Sequence, residues 1–308
     1  MTPKITRRRL LGGGAAALAI GGAGFLEARS FDGRYDHRSW PGASGADRFA
    51  RSRAALAGSE GDGALVHVGH STHLISIAHV TFLTDPWFYD PAFGALAHVR
   101  GPAVAPEDVG ALDVVLVTHD HADHADMRAL DRLDKRARAI VATADLASRM
   151  RALGFADVAV LPPWEELRVG AASVTAVPAL HDVYEIGFVL RGAGRCVYFA
   201  GDSRLHPDLP AIAERFSPTA AILPVDGTRI RTGGRHVMTP DDAVSAARTL
   251  GDSLAIPSHA EARFSDPLAA TFLASTIEGA SALFRDRMSR SLPAVGCAVP
   301  ASGELVPI

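Results

Sequence analysis

The chain has 308 residues, 48% of them apolar and 21% charged, with a formal net charge of −3. That is globular composition, long enough to bury a substantial core and without the basic field that nucleic-acid binding needs. Cys196 and Cys297 are the only cysteines, too few for a disulfide scaffold or a thiolate metal site, though one pairing is open to them.

The first stretch, "TRRRLLGGGAAALAIGGAGF", sets Arg7, Arg8 and Arg9 before an apolar run from Leu10 to Phe25. It is short for a membrane span, and its glycines weaken it as a soluble helix. Arginines followed by a leucine pair resemble a twin-arginine export signal. Residues 1–28 are therefore expected to be an export signal or an uncleaved anchor. The body would then be periplasmic or exported, with the export machinery as a partner and membrane attachment through this segment as an option. Residues 29–60 start polar and turn-rich and become weakly helical at "ADRFARSRAALAG", a lead-in packed on a main domain over 61–308.

Strand signals then follow one another: "ALVHVGH", "LISIA", "VTFLTDP" and "DVVLVTH". A helix is expected at "HADMRALDRL", a strand at "AIVAT", a helix at "ADLASRMRALG", and strands at "VAVL", "ASVTAVPA", "IGFVLRG" and "RCVYFAGD". The alternation continues through "HPDLPAIAERF", "AAILPVDG", "TPDDAVSAARTLG", "LAIPSHAE" and "DPLAATFLASTIEGASALFRDRM". Strands in two runs, each followed by strand–helix units, predict two sheets faced by helices.

The chemistry concentrates at "VLVTHDHADH", residues 115–124. His119, His121, Asp123 and His124 follow an apolar strand, and loops at strand C-termini are where α/β proteins place reacting groups. Histidines two apart in an extended turn can hold one ion, and Asp123 with His124 can face another. A capping loop would need one carboxylate, not three imidazoles. Neutral imidazoles and carboxylates are the ligands of zinc-type sites, so further ligands are expected at other strand ends. His181 in "VPALHD", Asp202 in "VYFAGDS" and His259 in "LAIPSHAE" occupy such ends.

"THDHADH", a later strand-end histidine, "AGDS" and a final "PSH" together resemble the metallo-β-lactamase-fold hydrolases, over residues 64–262. "VGHSTHLI", "LTDPWF", "YFAGDSRLHPDLPAIAERFSPTAAILPVDG" and "MTPDDAVSAARTLG" look most like the branch of ascorbate phosphate lactonase and N-acylphosphatidylethanolamine phospholipase D. The resemblance implies an α/β fold, an αββα sandwich of two mixed sheets flanked by helices, with two divalent metals at one edge. His119, His121 and His181 match the ligands of one metal. Asp123, His124 and His259 match those of the second, and Asp202 matches the carboxylate between them. Asp85 in "LTDP" matches an early aspartate supporting the metal loop. His70 in "GHST" matches a branch feature near the metal mouth, orienting a ligand or contacting substrate.

Departures from the branch put the substrate in question. Asp182 and Val183 follow His181 where many members carry small hydroxyl residues, and the last ligand sits in "SHAEARF". His206 and His236 lie on segments that can reach a substrate, and Arg229, Arg231 and Arg235 cluster as an anion clamp. The implied chemistry is hydrolysis of an ester, lactone or phosphodiester, small or lipid-like, by metal-activated water. Asp202, Asp123 and His70 are its catalytic candidates. Zn2+ is the first expectation, with Mn2+ or Fe2+ the alternatives that such ligands accept. The competing expectation is a non-catalytic metal-binding or membrane-anchored interaction protein on the same fold.

Overall fold

A computed structural model describes residues 38–58, 63–251 and 254–308. The first half builds one sheet from β1 (Ala64–Gly69), β2 (Thr72–Ile77), β3 (Val80–Thr84), β5 (Val114–Val117), β6 (Arg138–Val141) and β7 (Val158–Val160). The last strand, β18 (Leu305–Pro307), completes it in the order β18-β1-β2-β3-β5-β6-β7. Pairing is antiparallel from β18 to β3 and parallel from β3 to β7.

The second half builds the other sheet from β8 (Glu166–Val169), β9 (Ala172–Pro178), β10 (Ile186–Gly192), β11 (Arg195–Phe199), β12 (Ala220–Pro224) and β15 (Leu254–Ser258). Its order is β15-β12-β11-β10-β9-β8, parallel at the β15 end and antiparallel at the other.

Side-chain alternation explains the layering. Along β11, Val197 and Phe199 join the core between the sheets, while Cys196 and Tyr198 join a second apolar cluster on the outer face. In β12, Ala220 and Ile222 face inward and Ala221 and Leu223 outward. A strand buried on both faces reads as a continuous apolar run because its period-two sides are both covered. The outer cover consists of α4 (Leu209–Phe216), α5 (Pro240–Leu250) and α6 (Ala280–Ser291), through Ile212, Val244, Ala247, Phe284 and Met288. The first sheet is covered by α1 (Ala46–Gly58) and α3 (Ala144–Ala152), which contribute Phe49, Leu56, Leu146 and Met150. The architecture is the two sheets faced by helices that the alternation predicts, and the αββα sandwich that the resemblance implies.

Three local expectations change. The helix read from "HADMRALDRL" shrinks to α2 (Met127–Leu130), because residues 121–125 turn back on His121 O and Asp126, not Asp123, caps the helix through Arg128 N and Ala129 N. The segment read as one element over 266–288 breaks into a π-helical turn, Ala269–Leu273, a two-residue strand β17 (Ala274–Ser275) and α6. Gly279 at φ 68 starts that last helix. Three further short strands, β4 (Leu96–His98), β13 (Arg229–Ile230) and β14 (Gly234–Arg235), together with β16 (Ala262–Phe264), form small sheets beside the main pair.

Cys196 and Cys297 are free thiols, each pushed up to about 11 by burial. Among the described residues no helix is long and apolar enough to cross a membrane. The expected export segment, residues 1–28, lies outside them.

Candidate metal centre

Buried β5 delivers "THDHADH" to the edge where the two sheets open. Thr118, the first residue past the strand, donates from its backbone N and its hydroxyl to the Asp85 carboxylate, at 2.8 and 2.7 Å. Asp85 is fully buried at the end of β3 and sits at φ 33, and its Oδ2 also lies 2.8 Å from His124 Nδ1. It therefore does more than turn the chain before Pro86: it clamps the metal loop onto the neighbouring strand. Burial raises its carboxyl above the usual range, against the pull of His124 and Thr118. His70 and His259 also hold non-glycine left-handed backbones, at φ 53 and φ 50. Such conformations persist where the surrounding structure over-determines them, and they cluster at functional sites.

The loops bring the expected residues into two groups. His119, His121, His181 and Asp202 present ligand atoms within 4.8 Å of one another, and so do His70, Asp123, His124 and His259. The Asp202 carboxylate lies between the groups. Its Oδ1 is 3.0 Å from His124 Nε2, and its Oδ2 is 3.1 Å from His259 Nε2 and 4.0 Å from His119 Nε2. Asp123 Oδ2 lies 3.5 Å from His259, 3.6 Å from His70 and 3.8 Å from His124. Asp120, in the same motif, turns away and pairs with Arg149.

Each imidazole is held from behind. His119 Nδ1 faces Glu185 Oε1 at 3.1 Å, His124 Nδ1 faces Asp85, His259 Nδ1 faces Asp226 Oδ2 at 3.0 Å, and His181 Nδ1 donates to the His236 carbonyl at 3.1 Å. A ring nitrogen bonded to an acceptor carries the proton, so the opposite nitrogen offers its lone pair to the cluster. His121 and His70 are the exceptions: His121 Nδ1 lies 3.2 Å from His181 Nε2, and neither ring nitrogen of His70 has a hydrogen-bond partner among the described residues. Burial, with neighbouring imidazoles, pulls His119 and His121 down to about 3 and His70 and His181 down to about 4, so all four are neutral near pH 7. Against the cost of burial, Asp202 and Asp123 hold His124 well above its usual value, and Asp202 and Asp226 do the same for His259.

This donor set fits divalent cations. His119 Nε2, His70 Nε2 and Asp123 Oδ1 are buried without a hydrogen-bond partner among the described residues. Stranding such atoms costs free energy that a cation between them would offset. All donors are imidazole nitrogen or carboxylate oxygen, which suits zinc, manganese or iron.

Other expected residues stand outside the two groups. His236 pairs through its ring with Asp182, which also approaches Arg204 at 3.6 Å, and its carbonyl orients His181. The aspartate that departs from the branch pattern thus ties down the loop beside the site. His206 is buried at the start of α4, with Nδ1 3.7 Å from Asp208. Arg229, Arg231 and Arg235 lie exposed on the β13–β14 hairpin, where Arg231 donates to Thr271 O and Arg235 to Gly227 O.

The sequence reading missed Glu185, Asp226 and Asp126. Glu185 is fully buried and accepts from Asp202 N at 2.7 Å, and burial pushes it up to about 8. Gly201 sits at φ 63 with the Glu185 carboxylate where a Cβ would stand, which explains the glycine in "AGD". Asp226 follows an apolar strand in "PVDG", the same signal that marks Asp202. Asp126 gives no such sign, because it acts through backbone N–H groups of Phe88 and Tyr89 distant in sequence.

The fold and motif recur in known proteins. Residues 81–260 match the family described as the beta-lactamase superfamily domain. A "UPF0173 metal-dependent hydrolase" from Rubrobacter xylanophilus is 31% identical over 213 residues, covering 63% of this chain and 80% of that one. Among solved structures, a possible metal-dependent hydrolase from Veillonella parvula superposes with TM-score 0.67 at 19% identity, over 80% of this chain and 99% of that one. An isothiocyanate hydrolase from Delia radicum gut bacteria superposes with TM-score 0.66 at 20% identity, over 80% and 98%.

Proposed function

This chain belongs to the metallo-β-lactamase superfamily as a metal-dependent hydrolase, and on that premise we propose that it cleaves an ester, lactone or phosphodiester at a dinuclear site. The observation that carries this reading is the pair of histidine–aspartate groups with the Asp202 carboxylate, a member of the first, lying within 3.0 and 3.1 Å of His124 and His259 of the second. His119, His121, His181 and Asp202 would hold one ion and Asp123, His124 and His259 the other, most readily Zn2+, with Asp202 common to both. Bound there, divalent ions supply Lewis acidity that makes water nucleophilic near neutral pH and polarises the scissile oxygen.

The chain's own groups do the rest. Asp123 Oδ1 is buried and without a partner, placed to accept the attacking water's proton. Asp85 and the His236 carbonyl hold His124 and His181 in the ligating tautomer, while the Glu185 and Asp226 carboxylates stand 3.1 and 3.0 Å behind His119 and His259. Trp87 packs edge-on against His70 at 4.8 Å and stacks on His98 at 3.7 Å, while Phe93 stands edge-on to His121 at 5.4 Å, so an aromatic wall limits water beside the site. Two ligand-capable groups with oriented rings weigh against a protein that only binds.

The test is metal analysis of the purified chain, with turnover assayed on lactone, phosphodiester, carboxylester and isothiocyanate substrates. Fewer than one metal per chain and no turnover on any class would overturn the reading. We also propose export by the twin-arginine route, from the residues at 7–9. Replacing all three arginines with lysine should trap the protein in the cytoplasm, and unchanged fractionation would refute that route.

A further inference from the structure

An open cleft reaches the centre at His70. With a volume of about 820 Å³, it runs past the end of β15, the start of α6 and the segment leading into β18. That volume suits a small molecule. At its floor lie His70 and Ser258, both buried; neither ring nitrogen of His70 nor the Ser258 hydroxyl has a hydrogen-bond partner among the described residues. Ser258 directly precedes His259, so this floor backs onto the His70–Asp123–His124–His259 group.

The outer walls carry exposed Arg100, Arg263 and Arg285, whose guanidinium groups make no hydrogen bond or ion pair among the described residues. Three carboxylates share the cleft, but two are engaged. Glu261 lies 3.0 Å from His67 Nε2, and Glu304 accepts from Ala301 N at 2.8 Å. Glu261 thus has a histidine beside it, and the three guanidinium groups share the cleft with two further carboxylates, Glu278 and Glu304, to neither of which they are paired among the described residues. The hairpin arginines differ: two of them already donate to backbone carbonyls, and none lines this cleft.

We propose that the cleft receives a small-molecule substrate with a carboxylate, sulfate or phosphate group set apart from the scissile bond. Guanidinium groups hold such anions through charge-assisted, often bidentate, hydrogen bonds. The anionic group engages the arginines at the mouth, the Ser258 hydroxyl donates to a deeper oxygen, and the reactive end lies beside His70. This rests on the hydrolase reading and narrows its substrate class.

Radiolabelled sulfate in equilibrium dialysis against the metal-loaded full chain tests it without turnover. One saturable site per chain is expected. Substituting Arg263→Gln with Arg285→Gln should weaken it about tenfold or more, the scale of losing charge-assisted hydrogen bonds. The hairpin pair Arg229→Gln with Arg231→Gln should leave it unchanged. Absent saturable binding, or binding that survives in the Arg263/Arg285 variant because sulfate sits on the metals, would overturn the proposal and leave the hydrolase reading standing. The metal analysis and substrate panel test that reading separately.

Discussion

Substituting Asp202→Asn preserves size and one oxygen but removes the charge common to both groups. The native carboxylate stands 3.0 Å from His124 Nε2 and 3.1 Å from His259 Nε2, and the residue is 2% exposed, so solvent screens it little. At an effective dielectric near 20, a unit-charge contact at about 3 Å is worth roughly 5 kcal/mol before desolvation is subtracted. Losing one preorganised electrostatic group at a reacting centre typically costs about 3–4 kcal/mol, so turnover should fall on the order of 10²-fold or more. On the proposed dinuclear reading, two dications without the shared negative charge would repel each other, and metal content should drop from two towards one per chain. The Asp202 backbone N–H still donates to Glu185, so circular dichroism should be unchanged. Elemental analysis alongside kinetics on the best substrate of the panel decides the matter. Two tightly held metals with near-normal turnover would refute the bridging role and reduce Asp202 to a turn residue after β11.

Asp226→Asn removes the negative charge 3.0 Å behind His259 Nδ1 without touching the cluster; metal affinity should fall about 10–100-fold with stoichiometry kept, as for other outer partners of ligating histidines, read by chelator competition. Glu185 titrates at about 8 in the folded, metal-free protein against an ordinary value of 4.5. Its folded state keeps a proton that the unfolded chain releases, so its contribution to stability is full below about pH 4.5 and lost as pH rises towards 8. Glu185→Gln should flatten that slope in urea midpoints measured on chelator-treated protein at pH 5, 7 and 8.5, and an unaltered slope would assign it elsewhere. Asp126→Ala strips the cap of α2, strands the Phe88 and Tyr89 N–H groups and unpairs Arg38, which lies 3.2 Å away. A loss of about 3 kcal/mol or more in urea denaturation is expected, and a loss below about 1 kcal/mol would show that water replaces the carboxylate.

Much of the centre was legible along the chain because its donors sit directly after apolar strands. A buried strand advertises itself by composition, and the polar residues that end it must lie at the sheet edge. His119, His121, Asp123, His124, His181, Asp202 and His259 all obey that local rule, and their spacing also identified the superfamily. The same locality made α1, α3, α4 and α5 readable from their apolar periodicity and caps, such as the Thr239–Asp242 capping box of α5.

What lay outside local reach was decided by contacts between distant segments. β18 is only three residues long and becomes a strand because β1 offers its free edge, and α2 shortens because Asp126 satisfies backbone groups at residues 88 and 89. The support for the metal loop that the resemblance implies for Asp85 takes its form only when β3 lies against β5 and the carboxylate meets Thr118 and His124. Glu185 needs a buried imidazole and Gly201 beside it to have a purpose. The arginines divide on the same ground: the three that cluster in sequence stay together on the β13–β14 hairpin, with Arg229 opposite Arg235, whereas Arg100, Arg263 and Arg285, far apart in sequence, share one cleft. Strand ends announce where donors stand, because burial patterns are local. Which donors share an ion, and which charges stay free for a ligand, depends on packing across the sandwich.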